Sequence, residues 1–161
     1  MTLDHLWAGW RSQYIESVGQ PADGCVLCAV IADGGHVVWR GERVAVILNA
    51  YPYTSGHVMV LPIRHVGEPE DLDSDEAAEL WPAVTHAVVA IRRAYRPDGV
   101  NFGANLGAAA GAGVPGHFHV HAMPRWVGDT NFMTSVAGTR VLPEPLSTTL
   151  DKLRTSWPGA S

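Results

Sequence analysis

From residue 117 to residue 121 three histidines, His117, His119 and His121, alternate with Phe118 and Val120, and Ala122, Met123, Pro124, Arg125 and Trp126 follow. Alternation with period two is the pattern of a strand that keeps one face against a core. On a strand rising roughly 3.3 Å per residue, same-face neighbours stand about 6.6 Å apart. Imidazole is a poor strand former, so three in a row need a chemical reason. Three readings stand open. The row is an adventitious metal-binding tract or a polar sheet face; it is a three-histidine catalytic metal site; or one histidine is a nucleophile and its neighbours do other work.

The rest of the chain supplies the frame for that strand. Leu3, Leu6, Trp7, Trp10, Tyr14 and Val18 fall at helical spacing and predict an amphipathic helix over 3–18. A loop over 19–24 leads to a short helical turn over 25–31. Strands are expected over 36–40 and 43–49, joined by Gly41 and Glu42, and again over 57–62. A long helix starts near Ser74, where Asp73 and Glu76 make a capping box, and runs to about Tyr95. Pro82 removes one backbone donor inside it and predicts a bend. A strand over 100–106, a loop of glycine and alanine over 107–116, the histidine strand, and a short helix over 144–157 complete the chain. Helix, hairpin strands, one long helix and more strands predict an α+β fold with an antiparallel sheet. Residues 1–161 read as one domain: an N-terminal helix, a core of about 25–127, and a tail over 128–161.

The chain has 161 residues, enough to bury a core of its own. Its net charge of −5 argues against nucleic acid as a partner, because no basic surplus exists to neutralise phosphates. No apolar run approaches the roughly 20 residues that span a bilayer. Met1 to His5 lack the basic start and apolar block of a signal peptide. A cytoplasmic enzyme is the expectation.

Cys25 and Cys28 form a C-x-x-C, the usual spacing of two thiolates on one ion. A closed structural site needs two further ligands, and His65 and His117 are candidates that spacing alone does not select. Two unrelated cysteines on a helical turn, or a redox pair, are the other readings. If His117 is used on a metal, His119 and His121 remain on the same face. A neutral imidazole attacks phosphorus without deprotonation once its other nitrogen donates to a fixed acceptor. The 107–116 loop can turn several backbone N–H groups toward an anion. Asn105, just upstream, offers a side-chain amide. Asn49, at a strand end, either accepts from a sugar hydroxyl or serves as a turn residue.

The run His117-Phe118-His119-Val120-His121-Ala122-Met123-Pro124-Arg125 resembles the motif of the histidine-triad (HIT) family. The resemblance extends over most of the chain: Cys25 to Cys28, Asn49 to Pro62, Arg64 and His65, Asn101 to Gly107, and Trp126. Gly128, Asp129, Thr130, Asn131 and Phe132 are similar to the actinobacterial branch that includes diadenosine tetraphosphate phosphorylase. The resemblance implies a HIT-like fold, a five-stranded antiparallel sheet with one long helix and flanking shorter helices, paired into a homodimer. It implies that His119 is the nucleophile and forms a nucleotidyl-histidine intermediate. Asn49 would sit at the ribose, and Asn105 and His121 at the phosphates, with Gly113 and Val114 in the phosphate-binding loop. In members that carry zinc, the residues matching Cys25, Cys28, His65 and His117 hold a structural Zn²⁺. Many members have Gln and then Ser or Thr where this chain has Gly113 and Val114, and the phosphorylase branch has Ser and Glu where it has Gly113 and Gly116. The implied activity is that of a nucleotide hydrolase or nucleotidyltransferase acting on phosphoanhydride or phosphoramidate bonds. A dinucleoside polyphosphate phosphorylase and a nucleotide-binding module with little turnover are the alternatives.

Overall fold

The computed structural model describes residues 24–129 and 144–159. The helix expected over 3–18 lies outside the described residues, as do 130–143. Helix α1 (Val26–Asp33) leads into strands β1 (Val37–Arg40), β2 (Val44–Leu48) and β3 (Val58–Pro62). The long helix α2 (Ser74–Tyr95) precedes β4 (Gly99–Gly103) and β5 (Val120–Arg125), and α3 (Leu146–Ser156) closes the described chain. The five strands form one sheet in the order β1-β2-β3-β5-β4, and every neighbouring pair is antiparallel. The α+β expectation and the HIT-like sheet are both met.

The central strands β2 and β3 are buried at every position, so their two sides pack against different partners. Val44, Val46, Val58 and Val60 meet Ala83, Val84, Ala87, Ala90 and Ile91 of α2 and Leu150 and Leu153 of α3. Ala45, Ile47, Met59 and Leu61 meet Leu27 and Ile31 of α1. A short helix on this second side covers only part of the sheet, and the β5–β4 end is left for a site. The closing helix is part of the core rather than an appendage. Trp157 stacks on Trp39 with centroids 5.4 Å apart, and Arg154 donates to the carbonyl of Val37 at 3.0 and 2.6 Å.

The start of α2 is over-determined. The Asp73 carboxylate accepts from the backbone N–H groups of Asp75 and Glu76, and the Glu76 carboxylate accepts from that of Asp73. Glu76 is only 2% exposed, and a buried carboxylate needs a charged partner. Arg64 supplies it with a two-pronged contact, Nε at 2.8 Å and a terminal nitrogen at 2.7 Å. The helix runs through Pro82, which lies on its exposed side, and stops where Arg96 takes a left-handed conformation with φ of 47° before Pro97.

Two expectations change. The strand expected over 100–106 ends at Gly103, opposite His121, the last residue β5 pairs there. The histidine strand begins at Val120, so only His121 lies on the ladder. Phe118 instead donates its N–H to Val66 at 2.6 Å, in the segment that follows β3. Val66 lies four residues beyond Pro62, the partner that the β3–β5 register would give Phe118, and the ladder stops at Val120. Among the described residues no helix is long and apolar enough to cross a membrane.

The Arg64 contact holds the Glu76 carboxyl below its ordinary range. A depressed carboxyl pKa contributes stability that is full above the ordinary glutamate value and is lost as pH falls through the lower folded value. Glu76→Gln is expected to lower the thermal midpoint at neutral pH, with the gap closing on acidification through that window. Melting curves across pH check this, and a gap that does not change with pH would show that the charge is irrelevant.

Candidate active site

His117 is fully buried and binds in three directions. Its Nε2 lies 2.9 Å from the carbonyl oxygen of Pro62. A carbonyl only accepts, so Nε2 carries the proton and Nδ1 presents a lone pair. That lone pair faces the sulfur of Cys25 at 3.3 Å and of Cys28 at 3.5 Å. His65 brings its own Nδ1 to 3.6 Å from Cys28. The four ligand atoms of Cys25, Cys28, His65 and His117 all lie within 4.8 Å of one another.

Local structure explains the convergence. Cys25 is the N-cap of α1 and Cys28 stands in its first turn, so the spacing of three puts both sulfurs on one side. His65 follows β3 directly, in a segment tied down by Arg64 on Glu76 and by the Val66 carbonyl. The donor set can be tested against a metal by distance. Tetrahedral Zn²⁺, with sulfur at about 2.3 Å and nitrogen at about 2.0–2.1 Å, places sulfur and nitrogen roughly 3.5 Å apart. The observed separations match, and two thiols with two imidazoles are a closed ligand set. The Nε2–H of His117 on Pro62 is the kind of outer bond that would orient this ring toward a metal. Burial, and then the neighbouring Cys25, push the Cys28 thiol up, and a bound cation is what holds such a pair as thiolates.

His119 is 5% exposed and bends back so that its Nδ1 lies 2.7 Å from the carbonyl oxygen of His117. Nδ1 is therefore the protonated nitrogen, and Nε2 keeps its lone pair. Burial pushes this imidazole below its ordinary pKa, which favours the neutral form. The rings of His119 and His121 meet edge to face, with centroids 4.8 Å apart. Among the described residues the three histidines do not gather as one metal site: of the three, only His117 joins Cys25, Cys28 and His65 in the cluster that could hold an ion.

His121 is oriented by a residue whose place in the sequence predicts only the start of a strand. His57 is 1% exposed, and its Nδ1 receives the N–H of Tyr53 at 3.1 Å and lies 3.4 Å from the amide nitrogen of Asn49. With two donors on Nδ1, its proton sits on Nε2, which is 3.0 Å from Nδ1 of His121. His121 then accepts on Nδ1 and presents its own Nε2–H as a donor. The available signal was parity: His57 stands two and four residues before Met59 and Leu61, a polar group on an otherwise apolar side.

The other expected residues have mixed surroundings. Asn49 makes the turn contact, accepting the N–H of Tyr51 at 2.9 Å, beside its contact with His57. Asn105 lies 3.5 Å from the carbonyl of Gly111 and lines a cavity of about 290 Å³ together with His121 and Tyr53. Val114 packs its side chain against the α1 cluster, so only its backbone is left for a ligand. Gly113 and Val114 are half-buried in the loop just before His117.

The family described as HIT domain matches residues 33–127. The AP-4-A phosphorylase of Mycobacterium tuberculosis is 41% identical over 165 aligned residues, which cover 96% of this chain and 85% of that one. A hypothetical histidine triad nucleotide-binding protein from Sulfolobus tokodaii superposes with a TM-score of 0.69 at 32% identity, covering 82% of this chain and 91% of that one. A Zn-bound histidine triad family protein from Mycobacterium smegmatis does so with a TM-score of 0.63 at 28% identity, covering 83% and 92%.

A metal that binds the folded chain alone raises its melting temperature. Adding Zn²⁺ to reduced, metal-stripped protein is expected to do so, and Cys28→Ser should abolish the shift. Calorimetry with and without Zn²⁺ checks this, and an unshifted wild-type midpoint would argue against a site at these four side chains.

Proposed function

The chain belongs to the HIT domain family, and we propose that it cleaves nucleoside phosphate derivatives at the α-phosphorus through a nucleotidyl-His119 intermediate. It is an enzyme of the nucleotide hydrolase or nucleotidyltransferase class. The observation that carries the residue assignment is the bond from His119 Nδ1–H to the carbonyl of His117, which leaves the Nε2 lone pair unprotonated on a rigid, buried ring.

The lone pair of Nε2 forms a bond to the α-phosphorus as the bridging P–O bond breaks, and the leaving phosphate departs with the electrons of that bond. The positive charge that develops on the ring is stabilised through Nδ1–H by the His117 carbonyl. The Nε2–H of His121, set by His57, donates to a phosphate oxygen, and Asn105 and the backbone of Gly113 and Val114 add donors there. Asn49 meets the ribose. In the second half, an acceptor attacks phosphorus, the P–N bond breaks, and its electron pair returns to Nε2. Cys25, Cys28, His65 and His117 would hold a structural Zn²⁺, which supplies a rigid cross-link beneath His119 and takes no part in the transfer.

Water as acceptor releases a nucleoside monophosphate. The second reading, phosphorolysis, is favoured by the 41% identity to a protein named AP-4-A phosphorylase. With inorganic phosphate as acceptor the same intermediate yields a nucleoside diphosphate. Diadenosine tetraphosphate incubated with and without phosphate separates the two by whether AMP or ADP appears.

The whole chain, 1–161, acts as one domain and works as a homodimer in the cytoplasm. β4 is an edge strand, and Trp81 and Phe102 stand exposed beside it with ring centroids 5.8 Å apart. An open edge flanked by exposed aromatic rings suits pairing with a second copy. Light scattering at micromolar concentration is expected to give twice the 17.3 kDa chain mass, and a monomer mass would refute the pairing.

His119→Asn is expected to keep fold, metal and nucleotide binding while turnover drops by more than about a thousandfold, since the covalent route is removed. His121→Asn should cost less, because it removes a donor and leaves the nucleophile. Intact mass after brief exposure to substrate should show a nucleotidyl adduct on the wild type and none on His119→Asn. Near-normal turnover by His119→Asn would reassign the nucleophile.

A further inference from the structure

We propose that the cavity between β4 and β5, beside His121, seats the nucleoside carried by the leaving group, with Asn101 as the residue that hydrogen-bonds it. This rests on the nucleotidyl-transfer reading above and extends it to the other end of the substrate. The cavity holds about 290 Å³ and is walled by Tyr53, Asn101, Gly103, Asn105, His121 and Met123. Register puts four of these groups on one side of the sheet: Gly103 pairs with His121, and Asn101 with Met123. A volume near the lower end of the range for ligand pockets, roughly 300–1,000 Å³, suits one ring system rather than a whole dinucleotide.

The chemistry of the wall selects the ring over the phosphates. Among the described residues no Lys, Arg, Asp or Glu lines this cavity. A bare phosphate would meet no cation there, whereas a neutral heteroaromatic ring meets an aromatic side chain, a thioether and the Asn101 carboxamide, while Asn105 and His121 on the same wall serve the phosphates. The Tyr53 ring is itself stacked on His57 at 4.9 Å, so it forms a firm wall.

Asn101 is held in one orientation. Arg125 donates to its carbonyl oxygen at 3.1 Å, and the same guanidinium is anchored on Asp129 at 2.5 and 2.8 Å. A guanidinium has no acceptor, so the oxygen of the amide must face Arg125. The NH₂ is then the half left to donate to a ring nitrogen or carbonyl. Arg125 spends its charge on Asp129 and positions Asn101 from behind.

The sheet order fixes which end of the substrate this is. Asn49 follows β2, and His121 lies on β5, with β3 between them and β4 beyond. From β2 to β4 is three strand spacings, about 14 Å at roughly 4.8 Å each. A phosphate chain crossing His119 and His121 thus has Asn49 at one end and the cavity at the other.

The test compares two substrates of the full-length protein: diadenosine tetraphosphate, which carries a nucleoside on its leaving group, and adenosine 5′-phosphoramidate, whose leaving group is ammonia. Asn101→Ala is expected to lower the ratio of kcat/KM for the first over the second about tenfold, the effect of one lost hydrogen bond to a ligand. Arg125→Met should lower the same ratio less, with Asn101 still present but unheld. Both side chains are exposed, and thermal unfolding confirms that each variant folds. A ratio that stays constant in both variants while the wild type turns over both substrates overturns the cavity assignment alone. Failure of the wild type to cleave either substrate overturns the transfer reading and this assignment with it.

Discussion

Everything in this molecule that bears on chemistry depends on how His117 is bound. Its ring bonds Pro62 through Nε2 and faces two cysteines through Nδ1, while its carbonyl takes the proton of His119. One residue therefore links β3, the two cysteines and the candidate nucleophile. Contacts at both nitrogens orient the ring, and His119 bonds to the carbonyl of that same residue. In-line attack on phosphorus needs such placement, because catalysis here is mostly positioning.

The sheet supplies the second level of support. One side is filled by α2 and α3, and the other carries α1 and the cluster of Cys25, Cys28, His65 and His117. The Arg64–Glu76 contact joins the two halves, since it pins the segment bearing His65 to the first turn of α2. The cost of burying Glu76 is met by a complete set of donors, and the result is a segment with little freedom beside the metal-ligating cluster.

The missing polar side chains of the loop gain a physical account. Val114 is used for packing against α1, and Gly113 brings no side chain, so neither position turns a side-chain donor toward a ligand. The His57–His121 pair fixes the tautomer instead: with His57 donating to Nδ1, the Nε2 of His121 is the nitrogen that carries a proton. Burial disfavours the imidazolium form of His119, whose ring stands 4.8 Å from that of His121, centroid to centroid.

Much of the fold was legible in the sequence. The α2 boundaries follow from Asp73 and Glu76 at one end and Pro97 at the other, and the strands follow from apolar runs between turns. These are local signals, carried by neighbours within four residues. The ligand set Cys25, Cys28, His65 and His117 was proposed from family resemblance, not from spacing, because no local rule links residues 37 and 92 positions from a cysteine. Alternation put all three histidines on one strand, and there it misled, since the Phe118–Val66 bond and the His119–His117 bond override the ladder. The partnership of His57 with His121 and the hold of Arg125 on Asn101 join residues 64 and 24 positions apart. Only the register of paired strands decides such contacts, and register is set by the packing of the whole sheet rather than by any segment of it.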